Sequence, residues 1–216
     1  MDCCDSITSG SSRGRLEALI AARARPGADK KAIDQRIWDL FGERWAVMFT
    51  DLSGFSRHVA EFGICHFLQV IHESQRLLVP VIEEHDGILL KREGDSMLVA
   101  FRNPTKALAC SVAMQGVLKR YNHRRRASEK VLLCVGLGYG DVLRIGDDDV
   151  FGAEVNAASK LGEDIAGAGE ILVTSSLHEA VGKVKGVRFE AIDVVPPGAK
   201  GAFKVAYRAP SGSRKS

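Results

Sequence analysis

The order in which short apolar runs and helical repeats follow one another constrains this chain more than any other feature. Arg44 to Thr50 carries the apolar run Trp45-Ala46-Val47-Met48-Phe49, which reads as a buried strand and stops in the turn Asp51-Leu52-Ser53-Gly54-Phe55-Ser56. From about 57 to 85, Phe62, Phe67, Leu68, Ile71, Leu78 and Ile82 recur at helical spacing, and Pro80 predicts a kink. Gly87 to Lys91 and Ser96 to Phe101 are short strands joined by Arg92-Glu93-Gly94-Asp95, a hairpin pattern. Pro104 to Tyr121 is a helix with proline in its first turn. Val131 to Gly138 is a strand expected to turn at Gly138-Tyr139-Gly140 and pair with Asp141 to Ile145. Phe151 to Ile165 reads as helix, Glu170 to Thr174 as strand and Ser175 to Val181 as helix; Val187 to Ala191 and Phe203 to Arg208 are closing strands. This β-α-β-β-α-β order predicts an α+β fold: a ferredoxin-like sheet core with additional strands and helices on one face.

Residues 1–43 are expected to form an N-terminal extension, residues 44–209 one folded domain and residues 210–216 a disordered tail. The extension is polar and disordered to about residue 13. It is then helical from Leu16 to Ala24, broken at Pro26-Gly27, and helical again from Asp29 to Phe41. Ile33, Ile37, Leu40 and Phe41 share one face of the second helix and need a partner, either the main domain or a second chain. A length of 216 residues suits one domain with an extension, and 45% hydrophobic against 26% charged residues is enough for a full core.

The formal net charge of +3 is too small to imply nucleic-acid binding by itself. The basic clusters at Arg13, Arg15, Arg23, Arg25, Lys30 and Lys31, and at Arg120 and Arg124 to Arg126, read as solvated faces. No run approaches the ~18 apolar residues of a membrane helix. The cysteines at 3, 4, 65, 110 and 134 have no metal-ligand spacing, and the apolar settings of Cys65, Cys110 and Cys134 predict reduced core thiols in a cytoplasmic protein. Cys3 and Cys4 fall in the expected disordered tail.

Asp51 and Asp95 each sit where an apolar strand ends or turns, with glycine close by. Singly, Asp51 reads equally well as a helix cap and Asp95 as a turn residue. In a ferredoxin-like sheet, however, the first strand and the central hairpin are neighbours, so the two carboxyls meet at one edge. Two adjacent carboxylates repel, and one must take a proton unless a cation intervenes. Oxygen ligands suit Mg2+, which keeps positions open for phosphate oxygens. A pair of such ions implies a phosphate-bearing substrate. The Gly54-Phe55-Ser56 turn, leading into a helix, offers backbone amides to phosphates.

Three segments resemble motifs of the class III adenylate/guanylate cyclases. Phe49-Thr50-Asp51-Leu52-Ser53-Gly54-Phe55-Ser56 resembles the Phe-x-Asp-Ile-x-Gly-Phe-Thr metal motif, and Lys91-Arg92-Glu93-Gly94-Asp95 resembles Lys-x-x-Gly-Asp. Asp149-Val150-Phe151-Gly152-Ala153-Glu154-Val155-Asn156-Ala157-Ala158-Ser159-Lys160 resembles Asp-x-Trp-Gly-x-x-Val-Asn-x-Ala-x-Arg, with Phe151 in place of tryptophan. The likeness runs from about Trp45 to Tyr207. It implies two Mg2+ ions, with Mn2+ as the alternative, held by Asp51, Asp95 and the carbonyl of Leu52. It implies base reading by Lys91 and Asp149, which favours ATP over GTP because Asp149 accepts from the adenine amine but meets a carbonyl on guanine. Asn156 would bind the ribose and Lys160 the charge on the α-phosphate, with Lys200 a candidate for the outer phosphates.

The resemblance also implies a homodimer in which the metal pair of one copy faces the base-reading pair of the other. Lys160 stands where the family usually has arginine; it keeps the charge but loses the planar fork. The segment between Asp141 and Asp149 is short, which shortens the dimer arm. Two readings therefore stand side by side: an adenylate cyclase, and a weak cyclase-like module that binds nucleotide and dimerises for signalling. A two-metal polymerase-like or diguanylate-cyclase-like enzyme shares the metal logic, but the chain has no Gly-Gly-Asp/Glu-Glu-Phe segment.

Overall fold

The computed structural model of the chain describes residues 11–54 and 61–207. The expectations for residues 1–10, including Cys3 and Cys4, for Phe55, Ser56 and the helix start near 57, and for the tail 210–216 lie outside those residues.

One mixed sheet organises the molecule. Its strands are β1 (Gly42–Leu52), β2 (Ile88–Glu93), β3 (Ser96–Phe101), β4 (Leu133–Ile145), β5 (Asp149–Phe151), β6 (Ile171–Thr174), β7 (Val187–Ile192) and β8 (Ala202–Tyr207). They lie in the order β2-β3-β1-β4-β6-β8-β7, with β5 paired to β4. β1 is central, running antiparallel to β3 on one side and to β4 over its full length on the other. The helices are α1 (Ser12–Arg23), α2 (Lys30–Phe41), α3 (Ile64–Glu84), α4 (Pro104–Asn122), α5 (Ala153–Ser159) and α6 (Ser175–Val181). Local chemistry starts them: the Asp29 side chain accepts from Ala32 N at 3.0 Å, and Asn103 accepts from Thr105 N at 2.8 Å ahead of Pro104.

Alternation along β1 divides the core. Ala46 and Met48 face the larger cluster with Leu78, Ile82, Leu108, Met114 and Leu177 of α3, α4 and α6. Trp45 and Val47 face the opposite way, towards Val155 and Ala158 of α5. Helices therefore cover both faces of the sheet rather than the single face expected.

The reason is a stripe of glycines. Gly136, Gly138 and Gly140 alternate along β4 on the α5 side, so their missing side chains all face that helix. A Cβ at Gly138 would lie 2.5 Å from the Glu154 carbonyl oxygen, and one at Gly136 would lie 2.1 Å from that of Ala158. The expected turn at Gly138-Tyr139-Gly140 is thus absent. β4 runs straight through it, and its turn comes later, into β5.

Further differences concern boundaries. Phe151 pairs with Leu143 in β5, so the helix begins at Ala153. After Ser159 the chain widens into a π-helical stretch, Lys160–Ile165. There the Gly162 backbone lies so close to β1 that a Cβ would sit 2.8 Å from the Phe49 carbonyl oxygen. α3 continues through Pro80; Leu68 in it and Phe62 just before it, both at the expected helical spacing, are exposed. Cys110 and Cys134 are buried as expected, whereas Cys65 is exposed at the start of α3.

α1 and α2 form a hairpin clasped by the Arg23–Asp34 pair at 2.5 Å. Ile37 and Phe41, with Ile33 partly buried, pack against Leu143 and Ile145 of β4, so the main domain is the partner of this face. Leu40, expected with them, is exposed, because the i, i+4, i+8 line through Ile33, Ile37 and Phe41 turns it aside. No described helix is long and apolar enough to cross a membrane.

Candidate active site

β1 ends at Leu52, whose buried side chain anchors the strand end in the large core. Asp51 therefore faces the α5 side. Thr50 pairs with Met97, which places Asp51 beside Ser96 at the start of β3. Ser96 Oγ donates to Asp51 Oδ1 at 3.2 Å. Asp95 occupies the β2–β3 turn next to Gly94, whose φ of +59° suits glycine. The two carboxyls are neighbours, as the strand order required.

Their electrostatics express the conflict foreseen from sequence. Burial, with the Asp95 charge adding to it and the Ser96 hydroxyl opposing it, pushes the Asp51 carboxyl up to about 6. Burial also raises Asp95, against hydrogen bonds from its own and the Leu52 backbone and from Asp51. Below about pH 6 the Asp51 carboxyl holds a proton that a divalent cation would displace. The donor set of two carboxyls is hard oxygen and fits Mg2+ or Mn2+. The turn that follows is held by Ser53 N donating to the Leu132 carbonyl at 2.8 Å, and Gly54 has a φ of +92°.

A second pair lies on the same side of the sheet. Lys91 Nζ is 2.6 Å from Asp149 Oδ2, joining β2 to β5. Asp149 Oδ1 also accepts from Val150 N at 2.9 Å, which fixes the carboxyl plane. This pair borders a cavity of about 140 Å3 whose lining includes Phe49, Leu98 and Val155 as apolar walls, with Ser96 and Glu163 as polar ones. Ser96 thus belongs to both clusters: it bonds Asp51 and lines the cavity of Lys91 and Asp149.

The remaining expected residues form no hydrogen bond or ion pair with these pairs among the described residues, and none of them lines the cavity. Asn156 and Lys160 are exposed, four residues apart, at α5 and the start of the π-helical stretch. Lys160 Nζ donates to Asp164 Oδ2 at 2.5 Å, and that bond raises the lysine further above its ordinary value. Lys200 is exposed in the segment between β7 and β8. The Gly198 backbone of that segment abuts the start of α5, where a Cβ would lie 2.4 Å from the Ala153 carbonyl oxygen.

Two acidic residues escaped the sequence reading. Glu163 lines the cavity, accepts from the Ser159 hydroxyl, and its charge adds to the rise of Asp51. No spacing rule reaches it, because the π-helical stretch moves it off the face a regular helix would give it. Glu154 is buried, with hydrogen bonds to three other elements. A glutamate facing a stripe of strand glycines was its only signal.

Comparison with known proteins bears on the fold and the family. The chain is 33% identical over 134 residues to serine/threonine-protein kinase pkn2 of Myxococcus xanthus, covering 62% of this chain and 16% of that protein. It is 29% identical over 136 residues to a protein of Rhizobium meliloti (strain 1021) named "Putative adenylate cyclase 3", covering 63% and 23% respectively. The chain thus spans less than a quarter of the length of these curated relatives. Among solved structures, the adenylate/guanylate cyclase/hydrolase from Silicibacter pomeroyi has the same fold. Its TM-score is 0.66 at 24% identity, over 77% of this chain and 99% of that one. Residues 42–205 match the family described as the adenylate and guanylate cyclase catalytic domain, and the chain belongs to that family, class III.

Proposed function

We propose that the chain is an adenylate cyclase, converting ATP to 3′,5′-cyclic AMP and pyrophosphate at a site shared by two copies. The observation that carries this reading is the Lys91–Asp149 pair beside the small cavity. A lysine donor matches adenine N1, and a carboxylate acceptor matches the exocyclic amine; guanine offers each the wrong partner. On binding base, the two side chains exchange their mutual ion pair for these contacts.

Asp51 and Asp95, with the Leu52 carbonyl, would hold two divalent cations. Such ions would supply charge neutralisation along the triphosphate and lower the pKa of the ribose 3′-hydroxyl. Asn156 orients the ribose, and Lys160 meets charge on the α-phosphate. The amides of Gly54, Phe55 and Ser56, together with Lys200, meet the outer phosphates. The 3′-hydroxyl gives its proton to water, its oxygen bonds to the α-phosphorus as the bond to the bridging oxygen breaks, and pyrophosphate departs. Positioning and charge stabilisation carry such a reaction.

A second reading is a nucleotide-binding module of low turnover. It is favoured by Lys160 standing in the arginine position while engaged with Asp164. A product assay with ATP and GTP, in Mg2+ and in Mn2+ and across protein concentrations, tests both. Cyclic AMP lost in Asp51→Ala and Asp95→Ala supports the first reading. Nucleotide binding without product supports the second, and cyclic GMP from GTP alone overturns the adenylate assignment.

A further inference from the structure

We infer that Glu154 is a positioning residue for the site, setting the helix that carries Asn156 and Lys160; this rests on the roles proposed above for those two residues. Glu154 is only 9% exposed. Its Oε2 accepts from the Tyr139 backbone N–H at 3.2 Å and from the Thr174 hydroxyl at 2.7 Å, and its Oε1 accepts from the Ser176 hydroxyl at 2.7 Å. The three donors belong to β4, the end of β6 and α6, so one side chain ties α5 to three separate elements. Thr174 also caps α6, accepting from Leu177 N at 3.4 Å, which makes its own position rigid.

The sheet is shaped to receive this side chain. A Cβ at Gly140 would lie 2.8 Å from Glu154 Cγ, and one at Gly138 would lie 3.0 Å from Oε2. All of the donors are neutral, so what the site offers is directional hydrogen bonding rather than charge pairing. Burying a carboxyl costs free energy that an apolar residue would avoid. Its gain is a fixed rotation and axial setting of α5. Asn156 and Lys160, two and six residues further on, are exposed, and among the described residues neither side chain has a hydrogen bond to the sheet.

The chemistry of the three bonds separates positioning from packing. In Glu154→Gln the amide oxygen still accepts from Tyr139 and Thr174, while the amide N–H group donates to the Ser176 hydroxyl, which can accept. In Glu154→Met the shape is kept and all three donors lose their acceptor. We expect Glu154→Gln to stay within about threefold of wild-type kcat and Glu154→Met to lose about 10- to 100-fold, the cost of a misplacement on the order of 1 Å. Because the loss acts through α5, Glu154→Met should cost much less in a Lys160→Ala background.

The test measures kcat and KM for the wild type, Glu154→Gln, Glu154→Met, Lys160→Ala and the Glu154→Met/Lys160→Ala double variant at a temperature where circular dichroism shows each to be folded. It also measures hydrogen exchange of the α5 amides. Ser176→Ala, which removes one peripheral bond, serves as the milder variant should Glu154→Met not fold, with an intermediate loss expected. Faster α5 exchange in Glu154→Met, together with non-additivity, supports the proposal. Unchanged exchange, or fully additive losses in the double variant, overturns it. If the wild-type chain makes no cyclic nucleotide, the proposed function fails while the exchange measurement still decides whether Glu154 holds the helix.

Discussion

Lys91 Nζ and Asp149 Oδ2 lie 2.6 Å apart although they are 58 positions apart in sequence, because β2 and β5 converge on one cavity. In the proposed function their complementarity would act as a specificity device: each member is satisfied by the other until a base with the same donor–acceptor order replaces it. Reversing that order should reverse the preference. In Lys91→Glu with Asp149→Asn, glutamate accepts from guanine N1–H and the asparagine amide donates to guanine O6. We expect the ratio of kcat/KM for ATP over GTP to fall by at least ~100-fold, since a site built for one pattern leaves buried polar groups unpaired with the other. Steady-state rates with both nucleotides measure it, and an unchanged ratio would remove this pair from base reading.

The acidic pair makes a prediction about pH. Asp51 titrates near 6 in the fold against an ordinary 3.8, so between those values the native state binds a proton that the unfolded chain releases. Its contribution to stability is therefore complete below about pH 3.8 and is lost as pH rises through about 6. In metal-free protein, raising the pH from 4 to 7 should lower the Tm of the wild type relative to Asp51→Asn, which has no such proton to lose. Adding Mg2+ or Mn2+ should raise the wild-type Tm more at pH 7.5 than at pH 5, because cation and proton compete. Asp51→Asn and Asp95→Asn should abolish the increment. Thermal scans at the two pH values decide it; equal cation effects in wild type and variants would dissociate the pair from metal.

The β4 glycines predict a stability effect. A Cβ at Gly138 would press to 2.5 Å on the Glu154 carbonyl oxygen, which is backbone and cannot swing aside. Gly138→Ala should push α5 off the sheet and cost about 1–3 kcal/mol, the usual range for overpacking. Urea unfolding reads the loss directly. A variant as stable as the wild type would show that α5 can shift freely, which would also weaken the case for its exact setting.

These glycines mark the limit of what the sequence displayed. Element order, the hairpin at Gly94-Asp95 and the adjacency of Asp51 to Asp95 follow from periodicity and from where apolar runs stop. All are local or nearest-neighbour features. Gly138-Tyr139-Gly140 carries the same local signal as a turn. Only the distant helix that fills the space above it makes it a straight strand, and local propensity contains no record of that packing. Glu163 was hidden for a related reason: the π-helical stretch alters the angular spacing on which helix-face reasoning depends. Phe62 and Leu68 had helical spacing without burial, since periodicity identifies a stripe and not what covers it.

Lys160 predicts an unusual gain of function. Its ammonium, a single point of charge, is bonded to Asp164, whereas a guanidinium can present two parallel N–H groups to a phosphate. Lys160→Arg should raise kcat by about 10-fold or more, and Lys160→Ala should lower it. The Lys160–Asp164 pair is exposed, so releasing it through Asp164→Asn should change kcat by no more than about fivefold. Initial rates of cyclic AMP formation at saturating ATP measure all three. A Lys160→Arg variant no faster than the wild type would mean that the fork is not what limits turnover.

The proposed sharing of the site between copies can be tested without a structure of the dimer. In the proposed site Asp95 belongs to the metal pair and Lys91 to the base-reading pair, yet only three residues lie between them in the sequence. If each site joins the acidic pair of one copy to the Lys91–Asp149 pair of the other, they serve different sites. Asp95→Ala and Lys91→Ala should then each be inactive alone and recover activity on mixing. In the mixed dimer, the copy carrying Asp95→Ala still offers an intact base-reading pair to the intact acidic pair of its partner. The opposite site loses both. Random assortment makes half of the dimers mixed, each with one of two sites working, so the equimolar mixture should reach about one quarter of wild-type specific activity. Recovery should rise with protein concentration as exchange proceeds. Two inactive variants that stay inactive when mixed, in dimers shown to exchange subunits, would place both pairs in one copy's site and remove the requirement for a second chain.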